Sequence, residues 1–292
     1  MVKVSVCIPT YNQTEFLSKN LDSLLQQSFK DFEIIMSDDS DRPEVENLVH
    51  AKLQGRGIPY FYHRNNNALG SPANWNKAIS LAQGEYIKLL HHDDWLKDDF
   101  SLRDFVQALD KNPNADFAFC ATTILNVKEN TFSLHQANQS FLSELKTDAL
   151  LLFNNNQIGS PSAMIYRANT KLIFDEKLSY LVDVEFYIRL LQKNKHFVFI
   201  PNALIVNTSH HPGQVTAKSI TKTIQIGEYC YLYHKLLPGI FPSKKMRVFY
   251  KDLFAWYHLN SFDEITAEAY PVPEPKWIFR LLLWQSKFQK RQ

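Results

Sequence analysis

The stretch VSVCIPTYN, residues 4–12, decides how the fold is read. Residues 2–8 (VKVSVCI) alternate and β-branch as a buried strand does, and the run stops at Pro9-Thr10-Tyr11-Asn12. A proline at the end of a strand withdraws a ladder donor and begins a rigid turn. The polar groups that follow are therefore gathered at a strand end.

Working outward, TEFLSKNLDSLLQQS (14–28) sets Phe16, Leu17, Leu21, Leu24 and Leu25 at helical spacing, with Thr14 in the N-cap position. FEIIMSDDS (32–40) reads as a second strand ending in acid, followed by a polar helix over 43–53 and a strand over 58–64. SPANWNKAISLAQ (71–83) reads as a helix with proline in its first turn. GEYIKLLHHDDW (84–95) is a fourth strand that runs into charge. This alternation predicts an α/β fold, a Rossmann-like, mostly parallel sheet with helices on both faces. Ligands in such sheets bind beyond the carboxyl ends of the strands, the edge shared by Pro9–Asn12, Ser37–Ser40 and His91–Asp94.

Beyond residue 100 the pattern loosens. A helix is expected over 100–111, a strand over 115–127, an irregular polar stretch over 128–143, a helix over 144–153, a strand facing the site over 158–167 and a helix over 181–193. HFVFIPNALIVNTSH reads as two short strands, and residues from 216 onward as a helical, aromatic segment. The expected organisation is two halves of one domain (1–99 and 100–215) and a C-terminal helical extension (216–292).

The chain has 292 residues, 45% of them hydrophobic, enough for a sizeable core. A formal net charge of +2 excludes the strongly basic surface of a nucleic-acid binder, so an anionic ligand must be held locally. Cys7, Cys120 and Cys230 are far apart and match neither a zinc cluster nor a disulfide framework. Together with the lack of a leader-like or membrane-spanning run, they place the expected location in the cytoplasm, at the inner face of the membrane.

From the residues alone, several roles stay open. Tyr11 fits a platform for a flat ring or a cap on the strand's apolar end. Asp93-Asp94 fit a solvated turn or a pair of cation ligands facing a diphosphate. Asp183, in VDVEFYIRLL, fits a helix cap or a general base, and the histidine pair in TSHHPGQVT fits a solvated loop or a ligand.

Taken together and in this order, VSVCIPTYN, FEIIMSDDS, GEYIKLLHHDDWL and VDVEFYIRLL resemble the family 2, GT-A type inverting nucleotide-sugar glycosyltransferases over residues 2–215. The resemblance implies that Pro9 and Tyr11 bracket the nucleotide base and that Asp39 accepts from its imide N–H. It also implies that Asp93 lies near the ribose, Asp94 binds Mn²⁺ or Mg²⁺, and Asp183 is the catalytic base. His91 stands where the family more often has an aspartate, and Val182 where it often has a glutamate. Arg189 matches the family's arginine, and His211 is similar to a histidine that completes the metal and diphosphate site. No arginine occurs over 70–77 to meet the diphosphate, leaving Lys77 or Arg64 to compensate.

The implied partners are a nucleotide-sugar donor, UDP-linked by preference, and a glycan or lipid-linked acceptor, in cell-surface polysaccharide synthesis and without nucleic acid. A nucleotidyltransferase would be expected to carry a Gly-rich basic loop, which PTYNQTEF lacks. A binding protein with a dead site is at odds with an intact Asp94 and Asp183. In the closing segment, Trp277, Ile278, Leu281, Leu282 and Trp284 are interleaved with Lys276, Arg280, Lys287, Lys290 and Arg291. It fits either a peripheral membrane contact or a helix docked on the protein.

Overall fold

The computed structural model describes residues 2–211, 221–266 and 270–288. Contacts divide the chain into two compact units, residues 1–176 with 182–214, and residues 177–181 with 215–292.

The first unit opens with the alternation read above: β1 (Val4–Thr10), α1 (Glu15–Leu25), β2 (Phe32–Asp38), α2 (Glu44–Leu53), β3 (Tyr60–Arg64), α3 (Ala73–Ser80) and β4 (Tyr86–Leu89). It continues with β5 (Trp95–Leu96), α4 (Ser101–Asp110), β6 (Phe117–Asn126), β7 (Thr131–His135), α5 (Gln139–Leu145), β8 (Met164–Arg167), α6 (Val182–Lys193) and β9 (Phe197–Ser209). One sheet runs in the order β3-β2-β1-β4-β8-β6-β9-β5, with β7 on β6. The first four strands are parallel, β8 joins antiparallel to both β4 and β6, and β6 runs parallel to β9.

Alternation along β1 sends Val4, Val6 and Ile8 to one face, where they pack with Leu17, Leu21 and Leu24 of α1, Val49 of α2 and Phe105 of α4. Each such leucine or valine removed from water contributes about 1.5–3 kcal/mol. Aromatic packing adds to this, with Phe174 stacked on Phe186 of α6 at 4.2 Å, edge-on to Trp75 of α3 at 5.2 Å, and Tyr166 of β8 edge-on to Phe186 at 5.3 Å.

Four local expectations differ from the structure. The strand expected over 158–167 is only Met164–Arg167, preceded by a 3₁₀ turn at Pro161–Ala163. The polar 128–143 stretch contains β7, whose residues Thr131–Leu134 are all exposed and become a strand by pairing with β6. It also contains the start of α5, capped by Asn138, whose side chain accepts from Phe141 N. The helix expected over 144–153 is a 3₁₀ turn at Ala149–Phe153 begun by Asp148. The two strands expected over 196–210 are one, because the Cys120↔Ile200 register shifts to Ala121↔Ala203 and a bulge absorbs Pro201-Asn202. A bulge tolerates a residue without an N–H, so the proline does not end the ladder.

The second unit is helical: α7 (Lys222–Leu236), α8 (Lys244–Trp256), the short α9 (Asp263–Thr266) and α10 (Lys276–Ser286). Phe279 of α10 sits edge-on to Tyr233 of α7 at 4.9 Å and Tyr250 of α8 at 5.0 Å, forming its aromatic core. Among the described residues, no helix is long and apolar enough to cross a membrane.

Gly84, in the turn before β4, lies so close to β1 that a Cβ would stand 2.5 Å from Ser5 N and 2.8 Å from the Val4 carbonyl carbon. Both are backbone atoms of a central strand and cannot move aside. Gly84→Ala is therefore expected to lower unfolding free energy by about 1–3 kcal/mol, the range for forced overpacking. Urea denaturation checks this, and an unchanged midpoint would mean the turn shifts freely.

Candidate active site

At the carboxyl edge of the parallel strands, Asp38 is fully buried and holds three strand ends together. It accepts from Thr10 Oγ1 (2.9 Å), Ser40 N (3.0 Å), Ser40 Oγ (2.6 Å) and Tyr62 OH (2.5 Å). Asp39 beside it binds the loop leading to α3, accepting from Asn65 Nδ2 (2.7 Å), Leu69 N (3.0 Å) and Gly70 N (2.8 Å). A carboxylate offers about four acceptor positions, which leaves room for one further donor. Tyr11 stands outside this network, about half exposed, and Asn12 N donates to Ser40 Oγ at 2.8 Å. Arg64 is engaged with Ser40 O (3.3 Å) and Glu46 (3.9 Å).

The second cluster forms in the turn after β4. His92 Nδ1 lies 3.1 Å from Pro9 O, so this nitrogen carries the proton and ties the turn to β1. Asn20 of α1 donates to the carbonyls of His91 (3.0 Å) and Asp94 (2.7 Å). Ligand atoms of His91, Asp93 and Asp94 all lie within 4.8 Å of one another. Burial holds the His91 imidazole down to about 4, so it is neutral, and its buried Nε2 has no hydrogen-bond partner. Burial, and then the charge of Asp93, push the Asp94 carboxyl up to about 7, against hydrogen bonds from Ser162, Asn207 and Thr208 N (3.2 Å). Burial opposes ionisation of Asp93 too, but the hydrogen bond from His211, Nε2 to Oδ2 at 3.0 Å, and the nearby imidazoles of His92 and His91 together outweigh it and hold this carboxyl well below its ordinary range.

A neutral imidazole with an unpartnered nitrogen and two carboxylates form a donor set suited to a hard or borderline divalent cation. His91 thus stands inside the cluster as a third donor, while His211 reaches it through Asp93. Pro212–Gln214, the rest of the histidine loop read from sequence, lie outside the described residues.

Asp183 begins α6, as its sequence position predicts. Its Oδ1 accepts from Val184 N (2.8 Å) and its Oδ2 from Asn156 Nδ2 (2.9 Å). Asn156 opens a short segment that returns to the His91-Asp93-Asp94 cluster. Six residues on, Ser162 Oγ accepts from His91 N at 3.0 Å, and Ser160 Oγ is 3.0 Å from Asn207 Nδ2, whose side chain also bonds Asp94. Arg189 forms a two-point ion pair with the fully buried Glu185 (2.5 and 2.7 Å). It is thereby a structural partner of α6.

The family model for glycosyl transferase family 2 matches residues 5–171, more than half of the chain. The chain belongs to glycosyltransferase family 2. It is similar to an uncharacterized glycosyltransferase of Rickettsia typhi, 25% identical over 89% of this chain and 81% of the other. It is also similar to the abequosyltransferase RfbV of Salmonella typhimurium, 35% identical over 52% of this chain but only 44% of that enzyme's length. The fold matches Staphylococcus aureus TarS (residues 1–349) solved with UDP-GlcNAc, at TM-score 0.66 and 17% identity over 97% of this chain and 79% of that one. It matches a mannosyltransferase of Pyrobaculum calidifontis solved with GDP-Man and Mn²⁺ at TM-score 0.60 and 13% identity, over 98% and 84% of the two chains. The GT-A fold expected for this glycosyltransferase is therefore the fold it has.

The sequence reading missed the groups that hold the glycosyltransferase's site together: Asp38, Asn156, Ser162, Asn207 and Lys88. Only Lys88 carried a signal, a lysine inside an apolar strand. It is fully buried, donates to Ser162 O and to Met164 O (3.2 Å), and sits 4.6 Å from the Phe105 ring centre. Burial lowers its ammonium from 10.5 to about 7.

The sign follows directly: between pH about 7 and 10 the unfolded chain keeps the Lys88 proton and the folded chain does not, so raising the pH stabilises the fold. Relative to Lys88→Met, wild-type stability is expected to rise across pH 7–9 by up to about 1.4 kcal/mol per unit. Urea titrations at several pH values test this, and parallel curves would mean that Lys88 stays charged in the core.

Proposed function

We propose that this glycosyltransferase moves a sugar from a nucleoside diphosphate sugar, UDP-linked by preference, to a hydroxyl of a glycan or lipid-linked acceptor, with inversion at the anomeric carbon. The observation that carries the reading is the Asn156–Ser162 segment, which orients Asp183 at one end and the His91-Asp93-Asp94 cluster at the other. A base for the acceptor and a site for the leaving group are thereby held by one short piece of chain.

In this reading Asp183 takes the proton of the acceptor hydroxyl as its oxygen bonds to the anomeric carbon. The bond from that carbon to the diphosphate oxygen breaks in the same displacement, so no covalent enzyme intermediate forms. Asn156 Nδ2 and Val184 N fix the carboxylate's direction. Pro9 and Tyr11 bracket the base, Asp39 accepts from its imide N–H, and Asp93 lies toward the ribose. Asp94, Asp93 and His91, with His211 backing Asp93, would hold a divalent cation that neutralises the departing diphosphate. The imidazole in this set favours Mn²⁺ over Mg²⁺.

Asp183→Asn is expected to retain donor binding and lose turnover by about a hundredfold or more, the contribution of a positioned base. Near-native turnover would reduce Asp183 to a helix cap. Asp94→Ala is expected to remove the dependence of UDP binding on Mn²⁺, measured by calorimetry with and without the ion. A variant whose affinity still rises with Mn²⁺ would move the cation elsewhere, and tighter binding of GDP than of UDP would overturn the choice of nucleotide.

A further inference from the structure

Helix α10 is apolar on two opposite sides. At about 100° per residue, Ile278, Phe279, Leu282 and Leu283 fall on one half, while Trp277, Leu281, Trp284 and Phe288 follow one line along the other. The first set is buried in the aromatic core of the second unit. The second is open to solvent, with Trp277 63%, Trp284 58% and Phe288 70% exposed. Trp284 and Phe288 lie ring to ring at 5.0 Å. The exposed Phe241, before α8, extends the line 6.3 Å from Trp277, and the Arg247 guanidinium lies over its ring.

Large aromatic side chains left in water along one line mark a surface that something covers. Charge identifies the cover. Lys276, Arg280 and Lys287 fall within about 40° of one another on one flank of the line; Lys276 pairs with Glu274 at 3.7 Å, and residues 276–288 contain no acidic residue. A second copy packed about a two-fold axis would bring this cationic flank toward its own image, which like charges oppose. At about 1.5 Å per residue the helix is also roughly half as long as a bilayer core is thick, so it lies along a membrane and does not cross it.

We infer that the exposed face of α10, with Phe241, is a docking surface for an anionic lipid membrane. The aromatic line sinks to the boundary between headgroups and acyl chains, where tryptophan is favoured, and the flanking cations stay among the phosphates. The inference rests on the second unit alone and does not depend on the donor or the base assigned above.

The test is co-sedimentation of the full chain with phosphatidylcholine vesicles, with and without phosphatidylglycerol, at low and high salt. Binding is expected only with phosphatidylglycerol and is expected to weaken with salt. Arg280→Gln with Lys287→Gln should weaken it about fivefold per cation, and Trp277→Ser with Trp284→Ser should abolish it. Because the tryptophan variant can fail to fold, wild-type fluorescence is measured as well, and brominated lipid is expected to quench it. A full chain left in the supernatant at low salt and unquenched would overturn the inference. So would binding indifferent to both variants, or a change from dimer to monomer in the variants with no lipid binding by the wild type, which would assign the face to a second copy.

Discussion

Two carboxylates on consecutive residues, Asp93 and Asp94, must be kept in a buried turn, and much of the first unit is arranged around that constraint. Like charges in a poorly solvated place raise one another's affinity for protons, and the surroundings divide the burden unequally. His211 keeps Asp93 ionised, while Asp94 holds its proton to near neutrality despite three hydrogen-bond partners. Those partners come from far along the chain. Thr208 and Asn207 reach the turn because β5 pairs with β9 in the register Trp95↔Val206, and that register in turn follows the bulge that swallows Pro201. Slipping β9 by one residue would point the Asn207 side chain to the opposite face of the sheet and carry Thr208 N away from Asp94.

The same economy governs the 156–163 segment. Its carbonyl at Ser162 receives the buried Lys88 ammonium, its Ser162 hydroxyl receives the His91 N–H, and Asn156 reaches Asp183. A lysine in an apolar core is costly, and here it satisfies backbone carbonyls beside the site instead of pairing with a carboxylate. Rigidity at the site thus comes from polar groups held in the core beneath it, an arrangement suited to holding a reacting pair of groups at fixed separation.

In the second unit the constraint is different. Helix α10 has more apolar surface than one core can take up, so burying Phe279 between Tyr233 and Tyr250 leaves Trp277 and Trp284 outside. Its sequence leaves two readings open, a docked helix and a surface contact. Docking on the unit's own core is what the structure contains.

The first four strands and their helices were legible in the sequence, because alternation in VSVCIPT and three-to-four spacing in FLSKNLDSLL are local properties of the chain. The sequence also placed Pro9, Asp39, Asp93, Asp94 and Asp183 at element ends, since prolines and acids punctuate strands and helices wherever they occur. It could not show that Asn207 and Thr208 reach Asp94, or that Asn156 and Ser162 connect Asp183 to the acids. These residues lie far apart in the chain and meet through strand register, the bulge and the 156–163 segment, so it took the folded chain to bring them together. β7 shows the same limit, since its exposed residues have no buried face to specify a strand and become one only against β6.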